Sequence, residues 1–147
     1  MIIVNSEDVK QAISEQLIRI FPDVAIYKEA VSEPVYPHFY IYQINISDFR
    51  QRDNYHVITY QFDVRYRNNN DPTTDLKLQK NLDNVALKLF ANFNTIQFEQ
   101  VMIRLKDKST NKTDGVLHFL FSINLLMNKI SNIDEGKLNQ KLEVKFL

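Results

Sequence analysis

Apolar and polar residues alternate most regularly in residues 116–128. Because side chains alternate between the two faces of a strand, this pattern predicts one long strand. One face of the strand is wholly apolar and the other is half polar, and the turn signal Asp114-Gly115 stands directly before it. The apolar face consists of Leu117, Phe119, Phe121, Ile123, Leu125 and Met127.

A second alternating region predicts a β-hairpin. Residues 57–67 alternate between apolar and polar side chains, which is typical of an antiparallel strand with one buried face. Residues 38–48 are predicted to form its partner strand, and the polar segment 47–55 is predicted to form the hairpin tip. In the partner strand, the residues expected on one side are Tyr40, Tyr42, Ile44 and Ile46.

Two segments have the helical spacing of apolar residues. The first helix is predicted over residues 6–21, with Asn5 or Ser6 as its N-cap and Pro22 beyond its end. The second is predicted over residues 74–90, with Thr73 or Thr74 as its N-cap. The apolar positions are Val9, Ile13, Leu17 and Ile20 in the first helix and Leu78, Leu82, Val85 and Leu89 in the second.

Shorter patterns complete the prediction. Residues 24–28, 101–106 and 142–147 are expected to be strands, residues 106–114 a polar hairpin loop, and residues 130–141 loosely ordered. The fold class that follows is α+β, with an antiparallel sheet of about four or five strands and two amphipathic helices packed on one face. Residues 1–128 are expected to form the domain. Residues 129–147 are expected to form a C-terminal extension that could act as a strand-donating arm.

Composition and charge narrow the classes of function. The 18 basic and 18 acidic residues balance, which argues against duplex DNA or an anionic membrane as a partner. No apolar run is long enough to span a membrane, and the N-terminus lacks the pattern of a secretory signal. Cysteine is absent, which excludes thiolate metal sites, and the two glycines are too few for a phosphate-binding loop.

No catalytic, cofactor-binding or metal site is predicted. His38, His56 and His118 have no ligand-forming partner three or four residues away, so ordinary positions in the sheet or on the surface explain them. No Gly-x-Ser-x-Gly motif is present, and turn or capping roles explain the carboxylates at Asp107 and Asp114. The pattern nominates no residue for catalysis, and the protein is expected not to be an enzyme.

Tyr and Phe cluster in the hairpin, with Arg50, Arg52, Arg65 and Arg67 among them. A stacking platform for single-stranded nucleic acid is one interpretation of this cluster. The preference of aromatic residues for strands is the other, and the balanced charge favours it.

Protein docking is the remaining possibility for exposed segments. The mixed-sign hairpin tip could pair with a neighbouring subunit, and an alternating terminal strand could add to an exposed sheet edge. The candidate interface residues are Asp48, Phe49, Arg50, Arg52, Asp53, Tyr55, Lys106, Lys108, Leu142, Val144 and Phe146.

Five stretches, in their order and spacing, resemble the tail terminator family of tailed phages, in the form found in phages and phage-tail-like particles of Gram-positive bacteria. These stretches are Ile18-Arg-Ile-Phe-Pro22, Val24-Ala-Ile-Tyr27, Glu33-Pro-Val-Tyr-Pro-His-Phe-Tyr-Ile41, Tyr60-Gln-Phe-Asp-Val-Arg-Tyr66 and Asp114-Gly-Val-Leu-His-Phe119. The resemblance spans roughly residues 6–128 and supplies no catalytic residues.

The resemblance implies a structural virion protein that closes into a homohexameric ring. Such a ring caps the head-proximal end of the tail tube, ends tube polymerisation and presents a surface for the head or its connector. The implied partners are further copies, the tail tube protein and, in some particles, a tail sheath and a head-tail connector. No cofactor is implied, and the place of action is the virion or particle, assembled in the bacterial cytoplasm. A head-tail completion or adaptor protein of the same particle is the alternative.

Overall fold

The computed structural model describes residues 5–50, 55–69, 75–129 and 142–146. Within these ranges the chain forms two helices and eight strands. In chain order they are α1 (Ser6–Ile20), β1 (Ala25–Tyr27), β2 (His38–Arg50), β3 (Tyr55–Arg67), α2 (Leu76–Asn92), β4 (Thr95–Phe98), β5 (Val101–Arg104), β6 (Lys106–Thr113), β7 (Val116–Lys129) and β8 (Leu142–Phe146). The predicted α+β class is confirmed.

The main sheet has the strand order β1-β2-β3-β7-β6, and β8 also pairs with β7. Every described pairing in it is antiparallel except that of β1 with β2, which is parallel. The sheet is therefore mixed, which the sequence pattern does not indicate. A parallel pair requires the chain to return to the starting end of the sheet, and residues 28–37 provide that return.

Both helices begin at a side chain that accepts a backbone hydrogen bond. Asn5 Oδ1 accepts from the Asp8 amide at 2.9 Å, and Asp8 Oδ2 accepts from the Asn5 amide at 3.2 Å, which is a capping box. The second helix is capped by Asp75, whose Oδ1 accepts from the Leu78 amide at 2.8 Å. The prediction of Thr73 or Thr74 as its cap is wrong; those two residues lie outside the described ranges.

The core lies between the helices and one face of the main sheet. The predicted helical positions Val9, Ile13 and Leu17 are buried, as are Leu78, Leu82, Val85 and Leu89. Phe93, just past the end of α2, packs its ring 5.7 Å from Phe119 and 5.6 Å from Phe121. Each large apolar side chain buried in this way contributes about 1.5–3 kcal/mol. The apolar face predicted for residues 116–128 is thus confirmed from Leu117 to Leu125.

A β-bulge interrupts β2 between Gln43 and Asn45. Before the bulge, Ile41 lies opposite Val64 on the helix side of the sheet; after it, Ile46 lies opposite Tyr60, also on the helix side. The prediction that Ile46 shares a side with Tyr40 is therefore wrong. An extra residue in one strand reverses the alternation that follows it.

The region after α2 differs most from prediction. The strand expected over residues 101–106 is β5, which pairs with β4 in a separate two-stranded sheet. The prediction of a loop over residues 106–114 is wrong, because Lys106–Thr113 form β6 on the edge of the main sheet. An edge strand with mostly exposed polar side chains has no apolar alternation to reveal it. Asp114 and Gly115, with φ of 51° and 77°, form the predicted turn between β6 and β7.

Candidate interaction surfaces

The described residues contain no group of three or more His, Asp or Glu side chains that could hold a metal ion. Neither of their helices is long and apolar enough to cross a membrane. The predicted interface residues and the aromatic and charged side chains of the hairpin lie on the sheet face away from the helices, at the hairpin tip and on the sheet edges.

The sheet face away from the helices carries charges that neutralise one another. Asp63 is buried, and it accepts a hydrogen bond from Arg65 Nε at 2.8 Å. His118 Nδ1 lies 3.0 Å from the same carboxylate. The Arg65 guanidinium also lies 4.1 Å from the centre of the Tyr42 ring, a cation–π contact. The charge at the centre of this face is compensated internally.

His38 is fully buried at the start of β2. Its ring lies 4.7 Å from the rings of Tyr36 and Tyr40 and 5.7 Å from that of Tyr27. Burial lowers the pKa of His38 below its ordinary value, and the nearby positive charge of Arg67 lowers it further, although the hydrogen bond to Val35 opposes the shift. These causes favour the neutral ring, with Nδ1 donating to the Val35 carbonyl oxygen at 2.9 Å.

The tyrosine hydroxyls beside His38 hold the β1–β2 connection against the sheet. Tyr27 accepts a hydrogen bond from the Val35 amide at 3.0 Å, and Tyr40 accepts one from the Val31 amide at 3.3 Å. This aromatic group therefore has a structural role that accounts for its residues.

The stacking platform for nucleic acid is not supported by this arrangement. Four of the hairpin aromatics proposed for it are buried in the core: Phe39, Tyr60, Phe62 and Tyr66. Arg65 is bound to Asp63, and Arg67 lies 5.9 Å from the centre of the Tyr36 ring. Bases could not reach the buried rings, which pack against helices rather than solvent.

The hairpin tip brings several of the predicted interface residues together. Asp48, Phe49 and Arg50 end β2, and Tyr55 begins β3. Asp48 is exposed. Arg52 and Asp53, between the two strands, lie outside the described residues.

The predicted interface lysines lie on β6, where one of them is bound within the chain. Lys106 is exposed and lies opposite Ser122. Lys108 Nζ donates to the Phe90 carbonyl oxygen at 3.3 Å and to Asn94 Oδ1. Lys112, which the sequence did not single out, forms an ion pair with Asp83 at 2.8 Å. Lys108 and Lys112 thus fasten the edge strand to α2 and the residues after it.

The terminal strand predicted from alternation is present as β8. Leu142 lies opposite Lys129, Val144 opposite Met127 and Phe146 opposite Leu125, all on β7. The alternation predicts a strand, but it cannot say which edge the strand joins.

The family model described as phage tail terminator protein matches residues 8–135. The chain belongs to the phage tail terminator family. The chain is accordingly a structural protein of the phage tail and part of the virion, and it interacts with other tail components. The family is one of structural proteins and is not known for enzymatic activity. No curated protein matches the terminator.

The matched residues include all of α1 except Ser6 and Glu7 and run past the end of β7. They therefore contain both helices' core positions and the hairpin, but not β8. The sequence singled out the tip and β8 as interface candidates. It missed the strand β6 and the bulge at Ile44, because neither the polar residues of β6 nor an extra residue in β2 leaves a periodic signal.

Proposed function

We propose that the terminator closes into a homohexameric ring at the head-proximal end of the tail tube. There it ends tube polymerisation and presents the surface to which the head or its connector binds. The family match over residues 8–135 carries this proposal. The formal net charge of zero and a sheet with two open edges also suit assembly from identical copies.

A ring of this kind needs no reaction. One patch of each copy meets a different patch of the next, and the ring closes when the rotation between copies is right. Tube growth stops if one side of the ring binds the last tube subunits while the other side cannot accept more.

The tip is proposed as a docking segment for a neighbouring subunit or the tube, through Asp48, Phe49, Arg50, Arg52, Asp53 and Tyr55. Lys106 and Lys108 are proposed as separate contacts on the edge strand β6. Residues 1–128 are proposed as the domain and residues 129–147 as its extension, with Leu142, Val144 and Phe146 as the contacting positions. Assembly is proposed to occur in the cytoplasm of a Gram-positive host, with a tail sheath as a further partner in contractile particles.

The first test measures the mass of the purified protein with and without tube ends, because a ring could form only on docking. A hexamer on tube ends is expected. Monomers alone in both samples would contradict the ring.

The second test uses particles that lack the protein, which are expected to carry overlong or unjoined tails. Imaging of labelled protein on complete particles distinguishes the alternative role. A terminator lies at the end of the tube, whereas an adaptor lies between that end and the portal, and its loss leaves tube length unchanged.

A further inference from the structure

One end of the main sheet is protected against pairing with another chain. Its two edge strands there are β1 and β6. Only residues Ala25–Tyr27 form β1, and β6 carries Lys106, Lys108 and Lys112. Short strands and lysines are two of the devices by which proteins block an exposed edge.

The other end of the sheet lacks these devices. β1 pairs with β2 only at His38–Tyr40, so no other described strand lies beside residues 41–50 on that side. This stretch contains no Lys or Pro. Ile44 is 54% exposed and Ile46 is 46% exposed. An edge that presents apolar side chains without lysine or proline is suited to receive another strand.

The opposite edge at this same end is β8, and no described strand lies on its outer side. Cα pairings place Asp48, Ile58, Leu125 and Phe146 in one row across β2, β3, β7 and β8. Both open edges of the chain therefore lie at one level of the sheet, on opposite sides.

Strand direction makes these two edges complementary. Successive strands from β2 through β3 and β7 to β8 are antiparallel, so β8 runs opposite to β2. A rotation about an axis roughly parallel to the strands preserves their directions. It would bring β8 of one copy beside β2 of the next as an antiparallel pair, with the helices of both copies on the same side of the sheet.

The side-chain rows also match. Because of the bulge in β2, Ile46 belongs to the helix-side row, opposite Tyr60. The register of β8 places Val144 opposite Met127 and Phe146 opposite Leu125, and Leu125 is buried in the core. An antiparallel pair that keeps the helices on one side would therefore place Ile46 in the row of apolar β8 residues, and such cross-strand pairs stabilise sheets.

We propose that β8 of one copy pairs antiparallel with the residue 41–50 edge of β2 in the next copy, which makes the sheet continuous around the ring. This inference rests on the proposed ring and specifies the contact that closes it. The occupant of the open β2 edge is a second copy of this chain.

Cysteine cross-linking tests the contact directly, since the chain has no cysteine of its own. Asp48→Cys is combined with Phe146→Cys, which lies at the same level of the sheet, and Ile46→Cys is combined with Phe146→Cys to test a pairing shifted by two residues, each in the full-length chain. Within one copy, β2 and β8 are three strand spacings apart, about 14 Å, which a disulfide cannot bridge. Oxidation on tube ends is expected to give covalent oligomers with at least one of these pairs. Ile46→Cys combined with Lys145→Cys, which lies in the other row, serves as the control and is expected to cross-link less.

An edge-blocking variant gives an independent readout. Ile46→Lys is expected to remain folded by circular dichroism, because the side chain is half exposed, and to lose the oligomer. Met102→Lys is the matched control: Met102 is 58% exposed on β5, outside the main sheet, and its oligomer is expected to persist.

The outcomes separate this inference from the proposed function. If a ring forms but neither pair with Phe146→Cys cross-links and Ile46→Lys assembles normally, the strand contact is wrong and the ring stands. If the wild-type protein forms no oligomer even on tube ends, the ring itself is wrong, and the strand contact fails with it.

Discussion

At the residue scale, the buried carboxylate of Asp63 has two partners within hydrogen-bond distance. Asp63 lies on the sheet face away from the two described helices, and Arg65 and His118 both bind its carboxylate. Tyr42, whose ring centre lies 4.1 Å from the Arg65 guanidinium, is the β2 residue opposite Asp63. Removing one partner of a buried ion pair leaves the remaining groups without a hydrogen-bond partner. Breaking an exposed ion pair lowers the free energy of unfolding much less.

Asp63→Ala is therefore expected to lower the free energy of unfolding by about 1–3 kcal/mol, because two donors lose their acceptor. Asp83→Ala is the matched control: it breaks the exposed pair with Lys112 at the same 2.8 Å, at a cost of about 0–1 kcal/mol. Urea unfolding measures both. Equal losses for the two variants would contradict the role assigned to Asp63.

His38 predicts a pH dependence of stability. Burial lowers its pKa in the folded protein from 6.5, so the unfolded chain takes up a proton first as the pH falls. The contribution of neutral His38 to the free energy of unfolding is fully present above pH 6.5. It decreases as the pH falls from 6.5 toward the lowered pKa of the folded protein. His38→Gln, which cannot titrate, is expected to reduce this decrease when urea unfolding is followed at a series of pH values.

Tyr27→Phe is the control for the pH dependence of the His38→Gln variant. It removes the hydroxyl that accepts from the Val35 amide, at a cost of about 1 kcal/mol at every pH, and leaves the imidazole in place. Its pH dependence should match that of the wild-type protein. A His38→Gln variant that retains the full dependence would assign the titration to another group.

At the element scale, each helix begins at a polar side chain and ends in an aromatic residue packed in the core. Phe21 follows α1 and Phe93 follows α2, and both are buried. The caps define where the helices start, and the buried rings attach their ends to the sheet.

Asn5→Ala and Asp75→Ala are each expected to lower the free energy of unfolding by about 0.5–2 kcal/mol, because the first turn loses an acceptor for its amides. Asn84→Ala, at an exposed position inside α2, is expected to be neutral or slightly stabilising, since alanine favours helix. Thermal unfolding distinguishes them. A capping variant as stable as Asn84→Ala would show that its cap contributes nothing.

Elements with a buried periodic face could be predicted from the sequence, and those without one could not. Both helices, β3 and β7 follow from the spacing of residues such as Leu82 and Phe119. β6 was missed because hydrogen bonds to β7 hold it while its side chains stay polar and mostly exposed. The interface candidates at the tip could be named from the sequence, but the open edge at Ile44 could not, because strand neighbours are set by long-range pairing.

At the scale of the whole molecule, the chain presents one sheet with a protected end and an open end, and no net charge. Assembly through backbone pairing and isoleucine contacts depends little on long-range electrostatics. Assembly through the mixed-sign tip would depend on it more strongly.

The oligomer is therefore expected to persist when salt is raised from about 0.05 to about 0.5 M, a change that shortens electrostatic range several-fold. Mass measurement at both concentrations checks this. Dissociation at high salt would assign the main contact to the charged tip around Asp48 and Arg50 instead of the strand edges.

The irregularity between Gln43 and Asn45 leaves Ile44 as the one residue of β2 without a paired residue on β3. Deleting Ile44 would remove this extra residue, and Asn45 and Ile46 would keep Gln61 and Tyr60 as their partners. Both faces of the hairpin would be kept, and the strand would lose one exposed isoleucine and its local bend. Inserting a residue elsewhere in β2 would instead turn the residues that follow it to the opposite face.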